Sequence, residues 1–210
     1  MRRFVLWLIA FAIAAVLCWL WPPFRIVPLG QAQQQQLRGA FDAPAFARAF
    51  WDQRLLPATA RAVSVAELLS GLAHDPAAAR QRFGRALGLS STTCFFVSGS
   101  GRVIAIDKEG VNVALEDVPA GSGVRLMTGL LFGNAVRDAT GLLDVNEFPN
   151  SQDFNAISAE LNHLVETEVL PALRSHSAVG KQIRFAGCLE LEEGTAPNVL
   201  PVIPVKVEWP

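Results

Sequence analysis

The chain has 210 residues, 51% of them hydrophobic and 18% charged, enough to bury one core but too few for two large domains. Its 18 basic and 19 acidic residues leave a formal net charge of -1. With no long-range field to recruit nucleic acid or an anionic surface, nucleic acid is not expected among its partners.

Met1-Arg2-Arg3 leads into FVLWLIAFAIAAVLCWLW, an apolar run from Phe4 to Trp21 without a charge. At about 1.5 Å per helical residue this run reaches roughly 27 Å, close to the hydrocarbon thickness of a bilayer. Paired arginines before it, with Trp19 and Trp21 at its far end, predict a transmembrane anchor over residues 1–22 whose N-terminus stays in the cytoplasm. The remainder is then periplasmic, on a single-pass protein of the bacterial inner membrane. A cleaved signal peptide wants a shorter apolar core and a small-x-small site, and the run ends instead in Cys-Trp-Leu-Trp-Pro-Pro. Lipidation at Cys18 is the third option, with Leu17 standing where that processing needs a small residue.

Residues 23–40 contain prolines and a glutamine run without a core pattern, which predicts a linker holding the domain off the membrane. A helical segment follows over residues 41–90. Asp42 caps a helix with Pro44 in its first turn and Phe46, Phe50 and Trp51 at helical spacing. Ser64 and Glu67 have the spacing of a capping box for a second helix. A third opens at Asp75-Pro76 and stops at Gly88.

From residue 91 the pattern turns to strands. TTCFFVSGSGRVIAIDKEGVNVALEDV carries β-branched and aromatic runs, a turn at Lys108-Glu109-Gly110, and Gly99 and Gly101 inside the strand pattern, where glycines mark a bulge or bend. GVRLMTGLLFG predicts a third strand, Asn150 to His176 a helix, and KQIRFAGCLELEEG and NVLPVIPVKVEW two more strands. The fold class expected is α+β: a transmembrane helix, a short helical segment, and over residues 91–210 a small five-stranded OB-like β-barrel with a helix between strands 3 and 4.

The motifs FDAPAFARAFWDQRLLP, SGSGRV, GNAVRDATGLLDVNEFPN and LNHLVETEVL together resemble the bacterial family of periplasmic lipoproteins of unknown function, domain of unknown function 2291. The resemblance covers about Phe24 to Trp209, and its most specific pieces are Arg137-Asp138-Ala139 and Phe148-Pro149-Asn150. It implies a membrane-tethered envelope protein and an association with sugar ABC transporters. It brings no catalytic residues.

Arg137, Asp138 and Asn150 are the candidate ligand-binding residues. Adjacent side chains of an extended segment point to opposite sides, so Arg137 and Asp138 are each expected to need a partner from elsewhere. If buried, each must be paired and hydrogen-bonded. One reading makes the arginine fork a tie to loop carbonyls or a helix C-terminus, and the aspartate a cap for turn amides around Thr140-Gly141. The other makes the arginine a clamp for a carboxylate, a phosphate or a partner aspartate. Asn150, three residues before Asp153, reads as a helix N-cap, and Asn162 beside the apolar stripe reads as a side chain bonded to a neighbouring backbone. Cys94 and Cys188 form either a disulfide, worth about 4 to 5 kcal/mol in the chain-entropy model, or two buried thiols.

His74, His163 and His176 fall in separate segments without ligand spacing, so no metal is expected, nor any other cofactor. Ser98-Gly99-Ser100-Gly101 is followed by strand sequence and not by the helix a nucleophile elbow requires. Glu190, Glu192 and Glu193 read as a solvated acidic edge. No nucleophile, base and orienting group can be aligned, and a catalytic role is not expected. The function anticipated is that of an envelope accessory protein contacting a partner such as a transporter component, with a small-ligand binding domain as the alternative.

Overall fold

The computed structural model describes residues 41–86, 91–116, 118 and 121–210. The expected anchor over 1–22 and linker over 23–40, with Cys18, lie outside the described residues. Among the described residues no helix is long and apolar enough to cross a membrane. Asp42–Pro210 forms one compact unit, so the helices and strands expected as separate pieces belong together.

Helix α1 (Ala43–Phe50) starts where Asp42 Oδ1 accepts from the Ala45 amide at 3.0 Å. It continues through a π-helical turn (Trp51–Leu55), α2 (Leu56–Ala58) and a 3-10 turn (Thr59–Arg61). The π turn ends two residues before Pro57, and a second one (Val165–Val169) ends two residues before Pro171. A proline removes an amide hydrogen and crowds the carbonyl four residues back. Widening the turn before it accommodates both effects and keeps the rod continuous.

The residue pair β1 (Val63–Ser64) runs parallel to Val97–Ser98 and leads into α3 (Val65–His74). The expected capping box does not form: Ser64 makes no side-chain cap bond, and the Glu67 carboxylate is 3.2 Å from the guanidinium of Arg82 instead. Helix α4 (Pro76–Phe83) is capped as expected, Asp75 Oδ1 accepting from the amides of Ala77 and Ala78 at 3.1 and 3.0 Å. It ends at Gly84 rather than Gly88, because Gly84–Arg85 (β2) pairs with Phe95 and Cys94. A Cβ on Gly84 would stand 2.6 Å from the Arg80 carbonyl oxygen, too close for any other residue.

Five longer strands follow: β3 (Thr92–Ile106), β4 (Gly110–Leu115), β5 (Gly123–Met127), β6 (Gln182–Glu192) and β7 (Val199–Glu208). Pairing runs β3–β4–β5–β7–β6, antiparallel except for the parallel pair β5–β7, and returns from β6 to β3. The circuit closes because β3 is long enough to hold β6 along Thr92–Arg102 and β4 along Gly101–Ile106. Alternate residues, such as Val111 and Val113, Val124 and Leu126, Leu200 and Val202, are buried, as a strand facing one core requires. The irregularity in β3 lies between Val103 and Ala105, not at the glycines. Gly99 and Gly101 serve close approach: a Cβ there would meet the Phe185 ring at 2.8 Å and Val113 Cγ1 at 2.9 Å respectively.

Between β5 and β6 come α5 (Ala135–Asp138), α6 (Ser151–Leu164) and α7 (Leu170–His176), the last two joined through the second π turn. The stretch GVRLMTGLLFG is a strand only as far as Met127. Helix α6 packs on α1, and the π turn and α7 pack on β7.

Candidate functional site

The expectation that Arg137 and Asp138 cannot pair is corrected by the structure. They lie on one helical turn, closed by the Asp138 amide donating to the Asn134 carbonyl at 2.9 Å. Successive side chains on a helix diverge by only about 100°, and the arginine folds back onto its neighbour. Its Nε donates to Asp138 Oδ1 at 2.6 Å and its Nη2 to Asp138 Oδ2 at 2.9 Å. Nη1 donates to the Phe154 carbonyl and to Asn155 Oδ1, both at 3.1 Å. The guanidinium carbon sits 3.8 Å from the centroid of the Phe154 ring.

This is a buried charge pair with its remaining donors satisfied, the arrangement in which such a pair is tolerated. Phe154 carries the contact onward to Phe148 at 5.2 Å, and Phe148 to Phe46 of α1 at 5.4 Å, edge to face. Asn150 Oδ1 accepts from the Asp153 amide and its Nδ2 donates to Asp153 Oδ2, each at 2.8 Å. The three residues singled out in the sequence therefore converge on the first turn of α6 as fasteners. Arg137 is 4% exposed, so its fork faces protein partners and not the solvent.

Asn162 Nδ2 donates to the Gly133 carbonyl at 3.1 Å, a side-chain-to-backbone tie like the one expected. It is one of four that hold the loop between β5 and α5. Arg174 donates to the Thr128 carbonyl, Glu166 accepts from the Leu131 amide at 3.4 Å, and Glu190 accepts from the Asn134 amide at 3.1 Å. The loop is pinned at both ends, yet Leu130 and Phe132 are 78% and 77% exposed while Leu131 between them is buried. Beside them Met127, Pro201 and Ile203 line an apolar groove of about 280 Å³. Sequence reasoning assigned this loop to a strand. The signal that marks it is Leu-Leu-Phe bracketed by Gly129 and Gly133.

Cys94 and Cys188 are free and buried. In the β3–β6 ladder Cys188 stands opposite Phe96, and Cys94 opposite Glu190. The two cysteines are therefore diagonal neighbours, roughly 7 Å apart, beyond the reach of a disulfide. Burial, with the Glu190 carboxylate nearby, pushes the Cys94 thiol up to about 12. Burial also pushes Cys188 well above the ordinary thiol range. Among the described residues no group of histidine, cysteine and carboxylate side chains could hold a metal ion; His176 stacks on Trp209 at 5.1 Å.

A family profile described as predicted periplasmic lipoprotein, DUF2291, matches residues 12–208. The chain belongs to this family. Membership supports an envelope location and agrees with the resemblance read from the motifs. Among solved structures, an OB-fold protein from Thermotoga maritima MSB8 is similar at 27% identity and a TM-score of 0.70, covering 81% of this chain and 99% of that one. That likeness agrees with the α+β, OB-like layout expected from the strand order. No curated protein matches the chain.

Proposed function

We propose that the protein is a non-catalytic accessory module of the bacterial envelope, docking a protein partner through the Leu130–Phe132 loop. One observation carries this reading: two large apolar side chains stand almost fully in solvent on a loop whose backbone four side chains hold in place. Aromatic and aliphatic anchors on a pre-ordered loop lose little entropy on binding, which is the character of an interface hot spot. The groove beside them extends the apolar area beyond isolated surface residues. The association of the resembled family with sugar ABC transporters makes a transporter component the partner of choice.

The tether is the apolar run Phe4–Trp21, spanning the inner membrane with its N-terminus in the cytoplasm and the described domain in the periplasm. The family description as lipoproteins favours a second tether, an acylated Cys18. The intact mass of the membrane-extracted protein separates them: Met1 to Trp21 is retained in the first case, and a diacylated Cys18 begins the mature chain in the second.

Docking is tested by capture of the full chain from membranes under mild detergent, against a Leu130→Ser, Phe132→Ser double variant. A transporter subunit should accompany the first and be absent from the second. Recovery of the same proteins with both would overturn the proposal.

A further inference from the structure

We propose a second site, on a different part of the surface, that binds an organic anion: a phosphate or carboxylate group carried on an apolar or aromatic body. The site is a cleft of about 410 Å³ into which three arginines from three elements converge. Arg61 ends the 3-10 turn after α2, Arg82 lies in the last turn of α4, and Arg85 belongs to β2. Phe83 and Phe96 supply apolar walls, and Thr140 and Gly141, directly after the Arg137–Asp138 turn, form one lip.

The charge around the cleft is unbalanced. Arg82 has Glu67 at 3.2 Å, but neither Arg61 nor Arg85 forms an ion pair among the described residues. This occurs on a chain of net charge -1, whose other arginines near the cleft are engaged: Arg54 donates to the Leu142 carbonyl, and Arg80 to the carbonyls of Leu191, Glu192 and Thr195. Two unpaired like charges on the lining of one depression, Arg61 and Arg85, repel one another, and an anion there relieves that repulsion while gaining forked hydrogen bonds.

The arginines are also oriented. Arg82 lies over the Phe83 ring, 4.7 Å from its centroid. Arg85 lies along Gly141, whose φ of +64° and missing side chain leave the space: a Cβ there would be 3.0 Å from Arg85 Nε. Thr140 Oγ1 accepts from the Leu142 amide at 3.3 Å, which leaves its hydroxyl hydrogen free to donate into the cleft. Phe83 and Phe96 among the lining residues offer apolar contact that favours an anion with an apolar body over a bare ion. The cleft uses none of the atoms of the Leu130–Phe132 loop, so the two sites stand or fall separately.

The test is calorimetric titration of the full chain in phosphatidylcholine nanodiscs with phenyl phosphate, benzoate and inorganic phosphate at constant ionic strength. Phenyl phosphate or benzoate should bind more tightly than inorganic phosphate. Arg61→Gln or Arg85→Gln should weaken that binding about tenfold, the loss of one charge-assisted fork, at unchanged melting temperature. Arg102→Gln, a surface arginine bonded to the Gly180 carbonyl, should leave it unaltered. Repeating the titration in phosphatidylglycerol nanodiscs identifies the source: a weaker apparent affinity marks lipid headgroups as the occupant, and an equal one marks a soluble anion. Absence of binding by both aromatic anions, or an equal loss in Arg102→Gln, overturns the proposal.

Discussion

Arg137 grips the carboxylate of its own neighbour, Asp138, through two hydrogen bonds of 2.6 and 2.9 Å, with both side chains buried. The same guanidinium holds the first turn of α6 through the Phe154 carbonyl and Asn155. One side chain thus joins α5 to α6, the helix that packs on α1.

Arg137→Ala leaves a buried carboxylate without its partner and unties α6, and should cost about 3–5 kcal/mol in urea unfolding. Arg137→Lys recovers only part of this, because an ammonium neither forks nor stacks on Phe154 as a guanidinium does. The Arg137→Ala, Asp138→Ala double variant should be less destabilised than the sum of the two single ones. Additive losses would show that the pair does not act as a unit.

Asn150→Ala removes the reciprocal bonds to Asp153 and should lower stability by about 1 kcal/mol, the usual effect of losing an N-cap. Asn150→Asp keeps an acceptor for the Asp153 amide and should lose less. Equal losses in both would assign the effect to the amide nitrogen instead of the cap.

Within Leu130-Leu131-Phe132 three consecutive residues should behave oppositely. Leu130→Ser and Phe132→Ser, at exposed positions, should change unfolding free energy by no more than about 0.5 kcal/mol. Leu131→Ala, 8% exposed, should lose about 2–5 kcal/mol. A large loss at Phe132 would mean that its ring is part of the core and not an anchor for a partner.

The two buried thiols predict both reactivity and alkaline behaviour. At pH 8 iodoacetamide should leave Cys94 and Cys188 unmodified in the folded chain and label both after denaturation, because the thiolate is the nucleophile. Burial favours the neutral thiol, so this contribution to stability is full below the ordinary value of 9.0 and is lost as pH rises toward about 12, where Cys94 ionises in the fold. Alkaline unfolding should therefore begin between these values and shift upward in Cys94→Ala. A bridged Cys94–Cys188 peptide in a non-reducing digest would contradict the ladder register.

Local chemistry was legible wherever one residue satisfies the chain within a turn or two. Asp42, Asp75 and Asn150 cap the helices that they were expected to cap, and Asp107 Oδ1 accepts the amides of Glu109 and Gly110 at the expected hairpin turn. The capping box at Ser64 failed because Glu67 found a cation on another helix. The candidate site was only half legible. Its residues were named, but their pairing required knowing that the segment turns as a helix.

By itself the sequence determined the order of the five longer strands with a helix between strands 3 and 4, the helix starts at Asp42, Ser64, Asp75 and Asn150, and membership of the periplasmic lipoprotein family, because each follows from periodicity or motifs along the chain. Tertiary structure alone decided that β3 meets β6 and closes the circuit, that Cys94 and Cys188 sit two residues out of register, and that Arg61, Arg82 and Arg85 line one cleft. These depend on which distant residues come to share a space, and hydrophobic pattern records which face is buried without recording what lies against it.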